Sequence, residues 1–307
     1  MFYLLYKFIE KYKLIFTALI IALNARDKDG RNALMIALIY NRLDQANALI
    51  SAGIGLNARD NYGQTDLIRA GVDLNVPYKY GQTALMIALI YDRLDQANAL
   101  IDAGVDLNAI NIDGLTALMI ALVHGHIDQA NTLIDVGVRL NTISKYGRTA
   151  LMIALMYCRL DQANILIKSG IGLNVRDKDG LTPLMIALKH GHIDQANALI
   201  RAGVDLNVTD RYYERTTLMI ALLHGHIDQA NALIDAGVDL NVTDKYGRSA
   251  LMIALVDGHQ KIIEKIKETN SSFNLFLIII GMTGEGLNII TQMDSFDVIT
   301  DIRDFMQ

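Results

Sequence analysis

Short, wholly apolar runs recur along the chain at a fixed spacing, each followed by a run that is apolar on one side only. ALMIALI occurs at Ala33–Ile39 and again at Ala84–Ile90, with close copies at Ala117–Val123, Ala150–Met156 and Ala250–Val256. A seven-residue stretch that is apolar nearly all round predicts a short helix sandwiched between neighbours and a second layer. The run Asp161–Lys168 has one apolar side and predicts an outer helix. Between these, Lys145-Tyr146-Gly147-Arg148 is turn chemistry, and Thr149 stands where a helix N-cap belongs. Tyr157-Cys158-Arg159, or Gly-His in sister copies, breaks the two helices, and Ser169-Gly170 supplies a C-cap. The unit is therefore helix, tight turn, helix and extended loop.

The turn glycines measure the period. Gly30, Gly63, Gly81, Gly114, Gly147, Gly180 and Gly247 are spaced by 33 residues, with Glu214 standing in for one of them and with single intervals of 18 and 34. A fixed period of this length means stacked supersecondary units, none able to bury its apolar face alone. The pattern G-x-T-A/P-L-M-x-A-x-x-x-G-H, followed by L-I-x-x-G-V-D-L-N, resembles the ankyrin repeat from roughly Asp27 to Glu268. That resemblance implies an all-α solenoid of stacked antiparallel helix pairs with hairpin-like loops projecting from one edge.

The departures from the family pattern are regular. The family's T-P-L-H survives as Thr182-Pro183-Leu184, but its histidine is methionine in every copy: Met35, Met86, Met119, Met152, Met185, Met219 and Met252. The outer helix carries Gln-Ala where the family usually has a branched aliphatic pair, at Gln45, Gln96, Gln129, Gln162, Gln195 and Gln229. We read the two changes as volume compensation between facing helices. The glutamines could form a hydrogen-bonded ladder, but a solvated face is expected.

The ends differ from the middle. Residues 1–26 are expected to form a helical cap, 27–268 the repeat array, and 269–307 a tail that packs on the last repeat. In the last copy Gln260 and Lys267 replace the stacking aliphatics Ile227 and Ile234, as a terminal unit requires. At about 60–77 a helix pair is nearly missing, as though about 15 residues had been removed from the 33-residue period. The first repeat is expected to lose its regular neighbour there and to be only weakly coupled to the rest.

Composition narrows the function classes. Apolar residues at 52% and charged residues at 20% are a folding composition. A net charge of −5 without a basic block carries no nucleic-acid footprint, so no nucleic-acid partner is expected. Cys158 is the single cysteine and has no candidate catalytic partner. His124-Gly125-His126, His190-Gly191-His192 and His224-Gly225-His226 look like metal ligands. Successive copies would stand about 8–10 Å apart, too far to share an ion, so neither a metal nor a cofactor is expected. The second histidine of each is the family's structural Gly-His. Gly281–Gly286 has neither a phosphate-loop lysine nor dinucleotide spacing. Leu14–Leu23 and Phe273–Ile280 are apolar but too short to span a bilayer.

The expected function is a non-enzymatic scaffold for protein–protein interaction, acting as a monomer on an unidentified protein partner. In the family, partners are gripped by loop tips and by the concave side of the inner helices. Carried over residue by residue, the contact positions begin with Lys79, Tyr80 and Gln82, then Asn111, Ile112, Asp113 and Leu115. They continue with Lys145, Tyr146 and Arg148, then Lys178, Asp179 and Leu181. The last sets are Arg211, Tyr212, Tyr213 and Arg215, then Lys245, Tyr246 and Arg248. Tyrosine and arginine are enriched at interface hot spots, and it is their recurrence along one edge that favours binding. By fold-level analogy alone, a host-directed effector role is a further expectation, and the expected location is the cytoplasm or, after secretion, a host cell. The alternative is a membrane-associated protein anchored by a flanking segment, with the repeats as a positioning module.

Overall fold

A computed structural model describes residues 27–56 and 80–269, together with Ala22 and Ala25. The chain divides into two compact units, with the division after Gln162. The first contains α1 (Ala33–Ile39), α2 (Leu43–Leu56), α3 (Ala84–Ile90), α4 (Leu94–Asp102), α5 (Ala117–His124), α6 (Ile127–Asp135) and α7 (Ala150–Met156). Helix α8 (Leu160–Lys168) straddles the division. The second unit holds α9 (Pro183–His190), α10 (Ile193–Arg201), α11 (Thr217–Leu223), α12 (Ile227–Asp235), α13 (Ala250–Val256) and α14 (Gln260–Thr269). The expected helices at Ala150–Met156 and Asp161–Lys168 are both present.

Each inner helix starts on a side-chain cap. Asn32, Thr83, Thr116, Thr149, Thr182, Thr216 and Ser249 hold extended backbone, and each accepts a hydrogen bond from the amide of the methionine three residues on. One such cap contributes about 1 kcal/mol. The capped methionines Met35, Met86, Met119, Met152, Met185 and Met219 are at most 1% exposed, so the position that departs from the family pattern lies within the core. Gly125 and Gly191 end their inner helices in the left-handed region. Asn41, Asp92 and Cys158 occupy the equivalent turn with φ of 57–58°.

Packing repeats along each unit. In the first, α1, α3, α5 and α7 pack successively as one layer, and α2, α4 and α6 as the other. In the second, α9, α11 and α13 form one layer, and α10, α12 and α14 the other. Leucines at fixed positions, such as Leu89, Leu122, Leu188 and Leu199, are wholly buried. Full burial of one such side chain is worth about 1.5–3 kcal/mol.

The polar positions of the repeat are spent on bonds between neighbouring copies. Gln96, Gln129, Gln162, Gln195 and Gln229 are 3–5% exposed. Their Nε2 groups donate to Oδ1 of Asn47, Asn98, Asn131, Asn164 and Asn197, respectively, at 2.8–3.4 Å. The expected solvated glutamine face is therefore wrong for these five; only Gln45 is exposed. A buried amide is costly unless paired, and the asparagine two places further along D-Q-A-N in the preceding copy supplies the acceptor. A second series runs through the loops. The amides of Arg139, Asp205 and Asp239 donate to Oδ1 of Asn108, Asn174 and Asn207 at 2.7–2.8 Å.

The expected weak point also reads differently. Helices α1 and α2 pack directly on α3 and α4. Arg93 Nε donates to the Leu38 carbonyl at 3.2 Å, and Gln96 reaches Asn47 at 2.8 Å. Arg159 makes the same bond to Leu122 at 3.1 Å, so the first repeat has a regular neighbour after all. The turn glycines Gly63 and Gly81 stand 18 residues apart in place of 33. The shortened unit at 60–77, the tail 270–307 and the N-terminal cap, save Ala22 and Ala25, lie outside the described residues.

Candidate protein-binding edge

The loop tips are tied to one another by backbone hydrogen bonds. In the first unit Ile112 N donates to the Tyr80 carbonyl at 2.9 Å, and Lys145 N to the Asp113 carbonyl at 2.7 Å. In the second, Arg211 N donates to Asp179 at 2.8 Å, and Lys245 N to Tyr213 at 3.0 Å. This close approach explains the glycine period. Gly114 has φ +71°, and a Cβ there would lie 3.1 Å from Lys145 N; at Gly180, φ +80°, it would lie 2.7 Å from Arg211 N. The left-handed conformation and the adjacent backbone both select glycine. Glu214 holds φ +55° in the loop that carries the one-residue insertion.

Inside each loop a buried acceptor organises the turn. Asn111 accepts from the amides of Asp113 and Leu115 at 3.0 and 2.9 Å. Asp177 does the same for Asp179 and Leu181, and Asp244 for Tyr246 and Arg248, all at 2.9 Å. Arg248 also grips Asp244 Oδ2 through Nε at 3.0 Å and Nη2 at 2.8 Å. In the first repeat Arg31 clasps Asp27 likewise and holds that carboxyl below the usual carboxylate range.

This geometry sorts the candidate residues. Tyr80, Ile112, Lys145, Tyr146, Lys178, Arg211, Tyr212, Tyr213, Lys245 and Tyr246 are exposed. Gln82, Asp113, Leu115, Arg148, Asp179, Leu181, Arg215 and Arg248 are half-buried. Asn111 is buried, and its side chain is committed to its own turn, so it is not a contact residue. Lys79 lies outside the described residues. Lys145 stands 3.6 Å from Asp113. Tyr213 and Tyr246 come together with their ring centroids 6.4 Å apart.

Two exposed sets escaped the sequence reading. Ile110 and Ile143 are 56% and 51% exposed beside the first unit's tips, where turn chemistry calls for polar side chains. Tyr40, Tyr91 and Tyr157, at inner-helix ends, are also exposed. A tyrosine recurring at the helix break was the available signal, masked by its alternation with histidine.

The histidine triplets are structural. His126 Nε2 lies 2.8 Å from the Leu89 carbonyl and His226 Nε2 2.8 Å from that of Leu188, the place Arg93 and Arg159 fill in other copies. His124 stacks on His126, and His190 on His192, with ring centroids 5.8 Å apart. Burial and the adjacent ring hold His124, His190 and His224 below the usual histidine value. Among the described residues no three His, Cys, Asp or Glu side chains are grouped to hold a metal ion.

Helix pairs stacked at a fixed period, with linked tips, define an all-α repeat solenoid. A family profile of ankyrin repeats in three copies matches residues 61–144, 130–210 and 184–276, and a single-repeat profile matches 29–61. The chain belongs to the ankyrin repeat family. Ankyrin repeats are generally protein–protein interaction modules and typically non-catalytic. A search of curated proteins gave no significant match.

Proposed function

We propose that this chain is a non-enzymatic scaffold that captures a partner protein through its loop tips and the adjoining inner-helix ends. The observation carrying this reading is the tip-to-tip backbone bonding, which holds exposed tyrosines on a fixed edge within each unit. A side chain already ordered before binding loses less freedom on contact, so a fixed tyrosine is an efficient anchor. Tyr80, Tyr146 and Tyr246 are 48%, 52% and 39% exposed, and so are available to a partner at little cost to the core. The membrane alternative has less support: no helix among the described residues is long and apolar enough to cross a membrane.

The test is capture of partners by the intact chain, compared with Tyr80→Ala, Tyr146→Ala and Tyr246→Ala combined. Loss of capture with an unchanged melting temperature supports the edge. Unchanged capture removes it.

A further inference from the structure

We propose that the second unit's tips bind an extended acidic segment of a partner protein, reading it with the alternating series Arg215, Tyr213, Lys245, Tyr246 and Arg248. This rests on the protein-binding function above and adds the chemistry of the partner.

The five side chains form one connected group. The Arg215 guanidinium lies 4.2 Å from the Tyr213 ring centroid. Lys245 Nζ is 4.3 Å from the Tyr213 ring and 5.1 Å from that of Tyr246, so it is shared by both. Arg248 stands 5.2 Å from the Tyr246 ring. Cations on ring faces are held in place without losing their charge. Arg248 is neutralised locally, because Asp244 is wholly buried and paired to it. Lys245 and Arg215 have no carboxylate partner among the described residues, and Arg215 Nε is buried without a hydrogen-bond partner. The group therefore carries two positioned cations that are in no carboxylate contact among the described residues, on a chain whose net charge is −5.

Spacing selects the form of the ligand. An extended peptide presents alternate side chains about 6.7 Å apart. Arg215 and Lys245 both contact the Tyr213 ring, at 4.2 and 4.3 Å from its centroid, so the two cations lie close enough for alternate carboxylates on one face of such a strand to reach both. A polyphosphate or nucleic-acid ligand calls for a longer run of basic residues, and this chain has no basic block.

The experiment uses the full-length chain and a labelled peptide alternating glutamate with serine, read by fluorescence anisotropy. Saturable binding is expected that weakens with added salt and falls about tenfold or more in Lys245→Gln/Arg215→Gln. Thermal melts establish that the variant is folded, and the single changes replace it if it is not. Equal binding of a lysine–serine peptide, absence of binding, or full affinity in folded variants overturns the proposal. Tighter binding of a single-stranded oligonucleotide, lost in the same variants, also overturns it and assigns the cations to nucleic acid. Partner capture that depends on Tyr80 and Tyr146 while the acidic peptide fails leaves the scaffold function standing and removes only this inference.

Discussion

The tips of the two units share a backbone and differ in their side chains. In the first, Ile110, Ile112 and Ile143 stand exposed beside Tyr80, Lys145 and Tyr146, and the buried acceptors Asn111 and Ser144 are neutral, although the half-buried Asp27 of the first repeat is a carboxylate. In the second, the corresponding acceptors Asp177, Asp210 and Asp244 are carboxylates, and Arg211, Arg215, Lys245 and Arg248 accompany the tyrosines. Both sets of tips nonetheless make the same tip-to-tip amide bonds at 2.7–3.0 Å. The scaffold is thus independent of its surface. Backbone bonds and buried caps hold the loop, and the outward positions vary without penalty.

That comparison breaks first at the glycines. Gly114→Ala and Gly180→Ala should each destabilise by about 2 kcal/mol or more, since both combine positive φ with a crowded Cβ. Denaturant unfolding should show similar losses at both sites. A tolerated change in either unit would mean that its tips are not locked together.

Acceptor charge should separate the Ser144 turn from the Asp244 turn. Asp244→Ala removes a charged acceptor of two amides and an arginine, and should cost about 2–3 kcal/mol. Ser144→Ala removes a neutral acceptor of the Arg148 amide and should cost about 1 kcal/mol. Equal shifts in melting temperature would show that charge contributes nothing to the turn.

The glutamine pairs test what the units have in common. Gln129→Ala and Gln195→Ala each lose a buried amide bond and should cost about 1–2 kcal/mol. A double-mutant cycle of Gln129→Ala with Asn98→Ala should show coupling of about 0.5–1.5 kcal/mol. Simple additivity would return the glutamines to a packing role.

Acidification should have the smallest effect. The native state holds His124, His190 and His224 below the ordinary value of 6.5 and so favours the neutral ring. Their stabilisation is complete above about pH 6.5 and is lost as the pH falls through their lowered values. His190→Gln/His224→Gln, two changes in the second unit, should flatten the melting-temperature profile between pH 7.5 and 5 more than His124→Gln in the first.

Much of this architecture is legible in one dimension. The seven-residue apolar runs, the Thr, Ser or Asn before them and the period of 33 specify helix, cap and repeat, because burial and capping are local requirements that every copy states again. The family and the all-α fold follow from that recurrence. The return of Lys/Arg-Tyr beside the turn glycines is legible as well, and the structure exposes those tyrosines; that they form a binding edge is the proposal made above. The role of D-Q-A-N was not. Read along the chain, Gln129 is a polar residue on a helix and belongs in water. Only stacking shows that its partner is Asn98, in the copy before, and that the pair lies in the layer between copies. Asn111 was misread for the same reason, because burial of a turn residue depends on what the next loop covers. The packing of Ala33–Leu56 on Ala84–Asp102 also had to come from the tertiary structure, as contact across a shortened interval is not a local property. Sequence periodicity determined which units exist, because each must solve the same local problem of burial and capping. The fold decided which polar groups are satisfied and which remain exposed for a partner, because hydrogen bonds and charge pairs between copies join residues that are far apart along the chain.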